Sequence, residues 1–327
     1  MEWIDMHCDT LWCLAEYRKK GTAASDSLYR NHLCVDVERL GKAGCAAQFF
    51  ACFVNAGDHP GEEDPKTRTG RRWDGAYRDV LGMLRLAREE EKRMAGADSG
   101  VRCVLTVEEG GVLNGEISRL DVLYRMGVRL LTLTWNYENC IGSPNSRDRT
   151  VMERGLRGFG IEAVSRMNDL GIIIDVSHLS DGGFRDCIRY SRYPVAASHS
   201  NARSLCAHPR NLSDEMLRAL GEQGGVAGLN FYAAFLRETK SPSGAWASPD
   251  DIAEHAAWMV RKAGEDAVAF GTDFDGFERE ALPEGIRGVQ DMERVADALR
   301  RKGITARQID KIASGNVKRL IHDVWKK

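Results

Sequence analysis

This sequence predicts a (β/α)8 barrel, and three observations lead there. Short apolar runs rich in Val, Ile, Leu, Phe and Ala recur eight times along the 327 residues. Stripes of helical period lie between them. Histidines and carboxylates stand where several of the runs end. The runs cover residues 3–7, 45–53, 102–107, 129–134, 171–177, 194–198, 225–230 and 267–272. They lack strict alternation, as strands buried on both faces of a parallel sheet do. Eight strand–helix alternations close into one barrel whose active site lies at the C-terminal ends of the strands.

The helical segments follow in order. Residues 77–94 place Val80, Leu81, Leu84 and Ala87 on one stripe, with charges elsewhere. Further helices are expected at 117–126, 159–170, 183–190, 214–222 and 250–263. Ser213 reads as an N-cap, and Ser248 as a cap followed by Pro249 at the first turn. Gly127, Gly171 and Gly224 stand where helix C-terminal glycines belong. Residues 57–72 form a long polar loop after strand 2, on the active-site side. Helices at 289–301 and 306–323 close a single barrel domain spanning 1–327. A doubly wound sheet is the rival, but it needs a glycine-rich phosphate turn after an early strand, and the sequence has none.

Composition narrows the function. Basic and acidic residues balance at 46 against 48, which gives no footprint for nucleic acid or a membrane surface. No stretch approaches the roughly 18 apolar residues of a membrane helix. The N-terminus starts directly on an apolar strand interrupted by Asp5 and Asp9, unlike a signal-peptide core. Nine cysteines without CxxC pairs point to reduced thiols in the cytoplasm.

The chemistry gathers at the strand ends. His7 and Asp9 are two apart, so on a strand they share a face. Cys8 between them points away and reads as a small packed residue. Glu108 and Glu109 end strand 3, and one of the two can point inward to bridge two metal ions. The strand-4 tip carries Trp135 and Asn136 and no lysine, so no carbamylated lysine is available there. His178 and His199 end strands 5 and 6, Asn230 ends strand 7, and Asp273 and Asp275 follow strand 8. Imidazole and carboxylate are the ligands that zinc accepts. An Asp at a strand tip can shuttle a water's proton, and Asp273 is assigned that role, with Asp275 structural. His32, His59, His208, His255 and His322 read as surface residues.

Assembled, these residues resemble the membrane dipeptidase (renal dipeptidase) family, peptidase family M19, of the amidohydrolase superfamily. The carriers are His7-x-Asp9, Glu109-Gly110-Gly111, Leu130-Leu131-Thr132-Leu133-Thr134 and Ile174-Asp175-Val176-Ser177-His178. Ser198-His199-Ser200, Cys206, Arg210-Asn211, Asn230-Phe231-Tyr232 and the segment from Gly271 to Gly276 continue the likeness over nearly the whole chain. The resemblance implies an amidohydrolase-like barrel with two zinc ions per chain. One would be held by His7, Asp9 and Glu109, the other by Glu109, His178 and His199. Glu109 is taken ahead of Glu108 because the family's bridging Glu directly precedes Gly-Gly. Arg210 matches the residue that grips the substrate carboxylate, Tyr232 a pocket residue, and Asp273 the catalytic acid/base.

The family's better-known members carry a histidine at the strand-4 tip; here Trp135 replaces it, followed by Asn136. Many bacterial relatives share that pattern, and Trp135 is read as a packing residue that shapes the pocket. The implied activity is hydrolysis of dipeptides, including those with a C-terminal D-residue, by a hydroxide bridging the metals. Dipeptides are then the partners, and family members are often homodimers. The alternatives are another hydrolase of the same barrel, acting on cyclic amides or phosphoesters, and a non-catalytic metal-binding paralogue. The complete ligand set together with Asp273 argues against the last.

Overall fold

Eight parallel strands close into a barrel in sequence order in the computed structural model, which describes residues 1–23, 25–94, 99–238 and 247–325. The strands are β1 (Trp3–Cys8), β2 (Cys45–Phe53), β3 (Arg102–Glu108), β4 (Val128–Thr132), β5 (Ile173–Asp175), β6 (Ala196–Ala197), β7 (Val226–Leu229) and β8 (Val268–Phe270). All eight expected strands are present. Those in the second half are shorter than their apolar runs, because residues at the run ends leave the ladder to build the rim.

Ile4, Met6, Phe49, Val104, Leu130, Ile173, Ala196, Val226 and Ala269 fill the barrel interior. Val317, Leu320 and Val324 of the last helix, Asn316–Val324, join that cluster and plug the N-terminal end. Asn316 fastens the plug by donating to the carbonyls of Glu265 and Val268, each at 2.8 Å. A second, larger apolar layer lies between strands and helices. With the bottom closed, the wet chemistry is left to the C-terminal mouth.

Two local features position the site. In β1, Asp5 pairs with Gln48 but Cys8 pairs with Phe50, so one extra residue bulges at the segment holding His7. Further round, Glu108 pairs with Thr132, Thr132 with Asp175, and Asp175 with Ala196. That register carries Asp175 beside the segment leading to His199.

The expected caps hold. Ser213 accepts the Met216 N–H, and Ser248 forms a capping box with Asp251. Gly171 ends its helix in the left-handed conformation. Helices at Thr10–Lys20 and Val37–Lys42, after β1, were not expected from the sequence. The helix expected at 77–94 begins at Arg71, because Trp73 and Ala76 extend its buried face. The loop before it is shorter for that reason and is tied across by Arg68 to Glu63 and Glu138, at 3.0 and 2.9 Å. The helix expected at 306–323 runs from Ala306 to Val324, widened over one stretch at Lys311–Gly315. Among the described residues, no helix is long and apolar enough to cross a membrane.

Candidate metal centre and active-site pocket

The strand tips bring His7, Asp9, Glu108, His178, His199 and Asp273 together. Their potential ligand atoms form three overlapping groups: His7–Asp9–Glu108, Glu108–His178–His199 and His7–His199–Asp273. His7 Nε2 lies 3.3 Å from Asp9 Oδ2 and 3.4 Å from Glu108 Oε2. Glu108 Oε1 lies 3.1 Å from His178 Nε2 and 3.5 Å from His199 Nε2. Cys8 packs into the outer apolar layer and takes no part.

One expectation needs correction: the carboxylate shared by both triads is Glu108, not Glu109. β3 runs through Glu108, whose side chain continues the inward set begun by Val104. Glu109 then leaves the ladder at φ 116°. Its buried carboxylate accepts from Gly111 N–H at 2.8 Å, Asn139 Nδ2 at 2.6 Å and Trp135 N–H at 3.3 Å. Burial pushes it up to about 7, against those three donors.

The donor set is chemically suited to divalent metal. Both ring nitrogens of His7, Asp9 Oδ1 and His178 Nδ1 are buried without hydrogen-bond partners among the described residues. An unpaired buried polar atom is costly unless something else satisfies it. His178 and His199 face each other Nε2 to Nε2 at 3.0 Å. Burial, then nearby positive charge, holds both below the usual imidazole range, His178 at about 4, so both rings are neutral near pH 7. The tautomer of His199 follows from its partners. Its Nδ1 is 2.7 Å from Ser198 Oγ, which gives its own proton to Asp175 Oδ2 at 2.6 Å. Nδ1 is therefore the protonated nitrogen and Nε2 offers a bare lone pair. A metal-ligating histidine usually donates its other ring N–H to an outer acceptor that fixes its tautomer, and the Ser198 hydroxyl, itself bonded to Asp175, stands in that place.

Around the cluster lies a pocket of about 620 Å³. Asp9, Glu108, His178 and Asp273 form its floor; Trp12, Phe53, Trp135, Tyr232 and Phe235 are among its walls. Asp273 accepts from Asn230 Nδ2 at 2.8 Å, and its other oxygen is 3.8 Å from His7 Nε2. Burial pushes its carboxyl up to about 8, partly offset by His7. Asp275 turns away and accepts from Thr10 Oγ and Cys34 N–H at 2.6 and 2.7 Å, a structural tie.

Arg210 is buried with its guanidinium on Ser200 Oγ and the His199 carbonyl, at 3.3 and 3.2 Å. Its Nε has no partner, and among the described residues no carboxylate lies within ion-pair distance. Burial lowers it to about 10, so the cation persists. Tyr232 is fixed by its N–H on Asn230 Oδ1 at 2.7 Å. Trp135 packs edge-on to Phe53, and Asn136 reaches the pocket from an exposed position.

Three histidines differ from their expected surface setting, of which His59 is half-buried beside Asp79. His208 is half-buried in the pocket wall, against Phe235, and accepts the Arg210 N–H. His255 is buried on its helix between the Ala202 N–H and the Leu236 carbonyl. Its spacing from Ile252 and Met259 puts it on the apolar stripe, a signal the sequence did contain. Asn145, not singled out from sequence, holds the His178 carbonyl through N–H and Nδ2 at 2.7 and 3.0 Å. Nothing in its local sequence marks it.

A closed barrel with a His/Asp/Glu cluster at its C-terminal mouth defines an amidohydrolase-type (β/α)8 barrel. The chain belongs to the membrane dipeptidase family, peptidase family M19, whose model matches residues 1–326. It is 30% identical to an uncharacterized dipeptidase of Schizosaccharomyces pombe over 349 aligned positions, covering 99% of this chain and 80% of the relative. Among solved structures it is similar to the dipeptidase AC, a family M19 metallo peptidase, with TM-score 0.83, 26% identity and 99% of each chain covered. It is also similar to a metallo peptidase from Rhodobacter sphaeroides liganded with a phosphinate mimic of the dipeptide L-Ala-D-Ala, with TM-score 0.81, 26% identity and 99% of each chain covered.

Proposed function

We propose that this chain is a zinc-dependent dipeptidase with two metal ions, acting on dipeptides that include those with a C-terminal D-residue. The observation that carries the reading is Glu108: one carboxylate shared by two triads, with Asp273 beside them and the buried cation Arg210 across the pocket. His7, Asp9 and Glu108 would hold one ion, and Glu108, His178 and His199 the other. When bound, such ions supply Lewis acidity, polarising a carbonyl and bringing the pKa of water down to about 7.

The chain's own groups do the rest. Arg210 takes the free C-terminal carboxylate through its guanidinium fork and so selects short peptides. Tyr232 and Trp135 confine the side chains. Asp273 takes a proton from the attacking water at its carboxylate and gives it to the leaving amine nitrogen, so one peptide bond and one water become two amino acids. The phosphinate mimic bound by the Rhodobacter sphaeroides protein supports L,D-dipeptides as substrates. The likeness covers the full chain, which supports one barrel domain as the working unit.

The test is a substrate panel of L,L- and L,D-dipeptides, cyclic amides and phosphomonoesters, run with metal analysis after zinc reconstitution. The reading expects two ions per chain and dipeptide turnover. Zero or one ion, or turnover confined to the other classes, would refute it.

A further inference from the structure

Glu109 has no place in the metal cluster, yet it is fully buried and held at φ 116°, a conformation costly for any residue with a Cβ. Its surroundings show what it grips. Gly110 and Gly111 let the turn lie flat: a Cβ on Gly110 would come within 2.6 Å of the Leu133 carbonyl, and one on Gly111 within 2.3 Å of Trp73. The segment pressed against this turn is the loop after β4. Asn139 in that loop cannot flip. Its Oδ1 accepts from Ile141 and Gly142 N–H, and its Nδ2 donates to the Leu133 carbonyl at 2.9 Å and to Glu109 Oε1 at 2.6 Å. The N–H of Trp135 donates to Glu109 Oε2 at 3.3 Å, the one hydrogen bond of Trp135 among the described residues. Three N–H donors thus converge on one side chain, and an acceptor-only carboxylate is the group that satisfies all three.

We propose that Glu109 is a positioning residue for substrate selection: with Asn139 it clamps the loop that sets Trp135 as a wall of the pocket. The inference rests on the dipeptidase reading for its kinetic test, and has a second readout that needs no substrate. The key variant is Glu109→Gln. Its Oε1 keeps the Gly111 and Asn139 bonds, because Asn139 cannot turn. Its NH2 then faces the Trp135 N–H, donor against donor, so the perturbation falls on Trp135 alone.

The ratio of kcat/KM between dipeptides with large and small N-terminal side chains should shift by about 3- to 10-fold, the size of one net hydrogen bond. Most of the shift should appear in KM. Trp135→Ala should shift the same ratio, and adding Glu109→Gln to it should change the ratio little further. Metal content should not move. Independently of turnover, the emission owed to Trp135, taken as wild type minus Trp135→Phe, should become more quenchable by iodide in Glu109→Gln. Metal loss, an equal fall for every dipeptide, additive effects of the two substitutions, or unchanged quenching would each overturn the proposal. A wild type inactive on all dipeptides would refute the function instead, and the quenching result would still decide the clamp.

Discussion

Removing the Ser198 hydroxyl tests whether the buried chain behind His199 tunes the metal centre. Ser198 Oγ makes two short bonds, 2.7 Å to His199 Nδ1 and 2.6 Å to Asp175 Oδ2. In Ser198→Ala the Asp175 carboxylate keeps its bonds from Ser177 N–H, Ser198 N–H and Thr132 Oγ. The ring N–H of His199 is left buried without an acceptor. Such a group costs about 1–3 kcal/mol. Loss of an outer partner of a ligating histidine costs about 10–100-fold in metal affinity, which is about 1.4–2.8 kcal/mol. The two figures agree, so the expected result is a zinc dissociation constant about 10–100-fold weaker for the more weakly held ion. A competition titration against a chromophoric chelator measures it, with thermal unfolding recorded with and without added zinc. Excess zinc should restore much of the lost activity. An affinity within about twofold of wild type would show that the Asp175–Ser198 chain only packs.

Three further outcomes follow from the same site. Asp273→Asn preserves the shape beside Asn230 and should lower kcat by about 10²–10⁴ with metal content kept, whereas Asp275→Asn should act mainly on unfolding; a silent Asp273→Asn in single-turnover kinetics would reverse the roles. Arg210→Met should cost about 1.5–3 kcal/mol in kcat/KM. That cost should shrink for a C-terminally amidated dipeptide, and equal losses on both would make Arg210 structural. Trp135→Phe should cost less than about tenfold in kcat; a loss of about 10² or more is the scale of a deleted oxyanion donor and would assign that role to the indole N–H.

The barrel was legible because strands buried on both faces must be written as unbroken apolar runs. The same property hid the bridging carboxylate. Cys103, Leu105 and Val107 face the helices while Val104 faces the interior, and the lone Thr106 on the Val104 side is too slight a polar mark to say from parity whether Glu108 or Glu109 points inward. The choice was settled by a backbone turn at Glu109 that no residue type announces. Thr10–Lys20 escaped notice for a related reason: it starts straight from Asp9, whose side chain makes no capping bond. His7, Asp9, His178, His199 and Asp273 were legible because polar residues at the ends of apolar runs have few other uses. Ser198 and Asp175 stood in recognisable motifs, but their service to His199 needs the register of β5 against β6, which a single sequence does not carry.

Glu109, His178, Asp273 and Asp275 all hold positive φ, at 116°, 65°, 60° and 68°, and all lie at strand exits on one rim. Each such turn costs on the order of 1–2 kcal/mol for a residue with a side chain. Summed, they amount to a sizeable part of the roughly 5–15 kcal/mol that keeps a domain folded. Glycine would relieve each one, yet glycine can neither ligate, move a proton nor clamp a loop. The rim is therefore where this barrel trades durability for reactivity. Cations that bind only the folded rim would return part of that loss by mass action. A search for heat-tolerant variants has most to gain at the plugged end of the barrel, where Val317, Leu320 and Val324 can be repacked without touching a single reactive group.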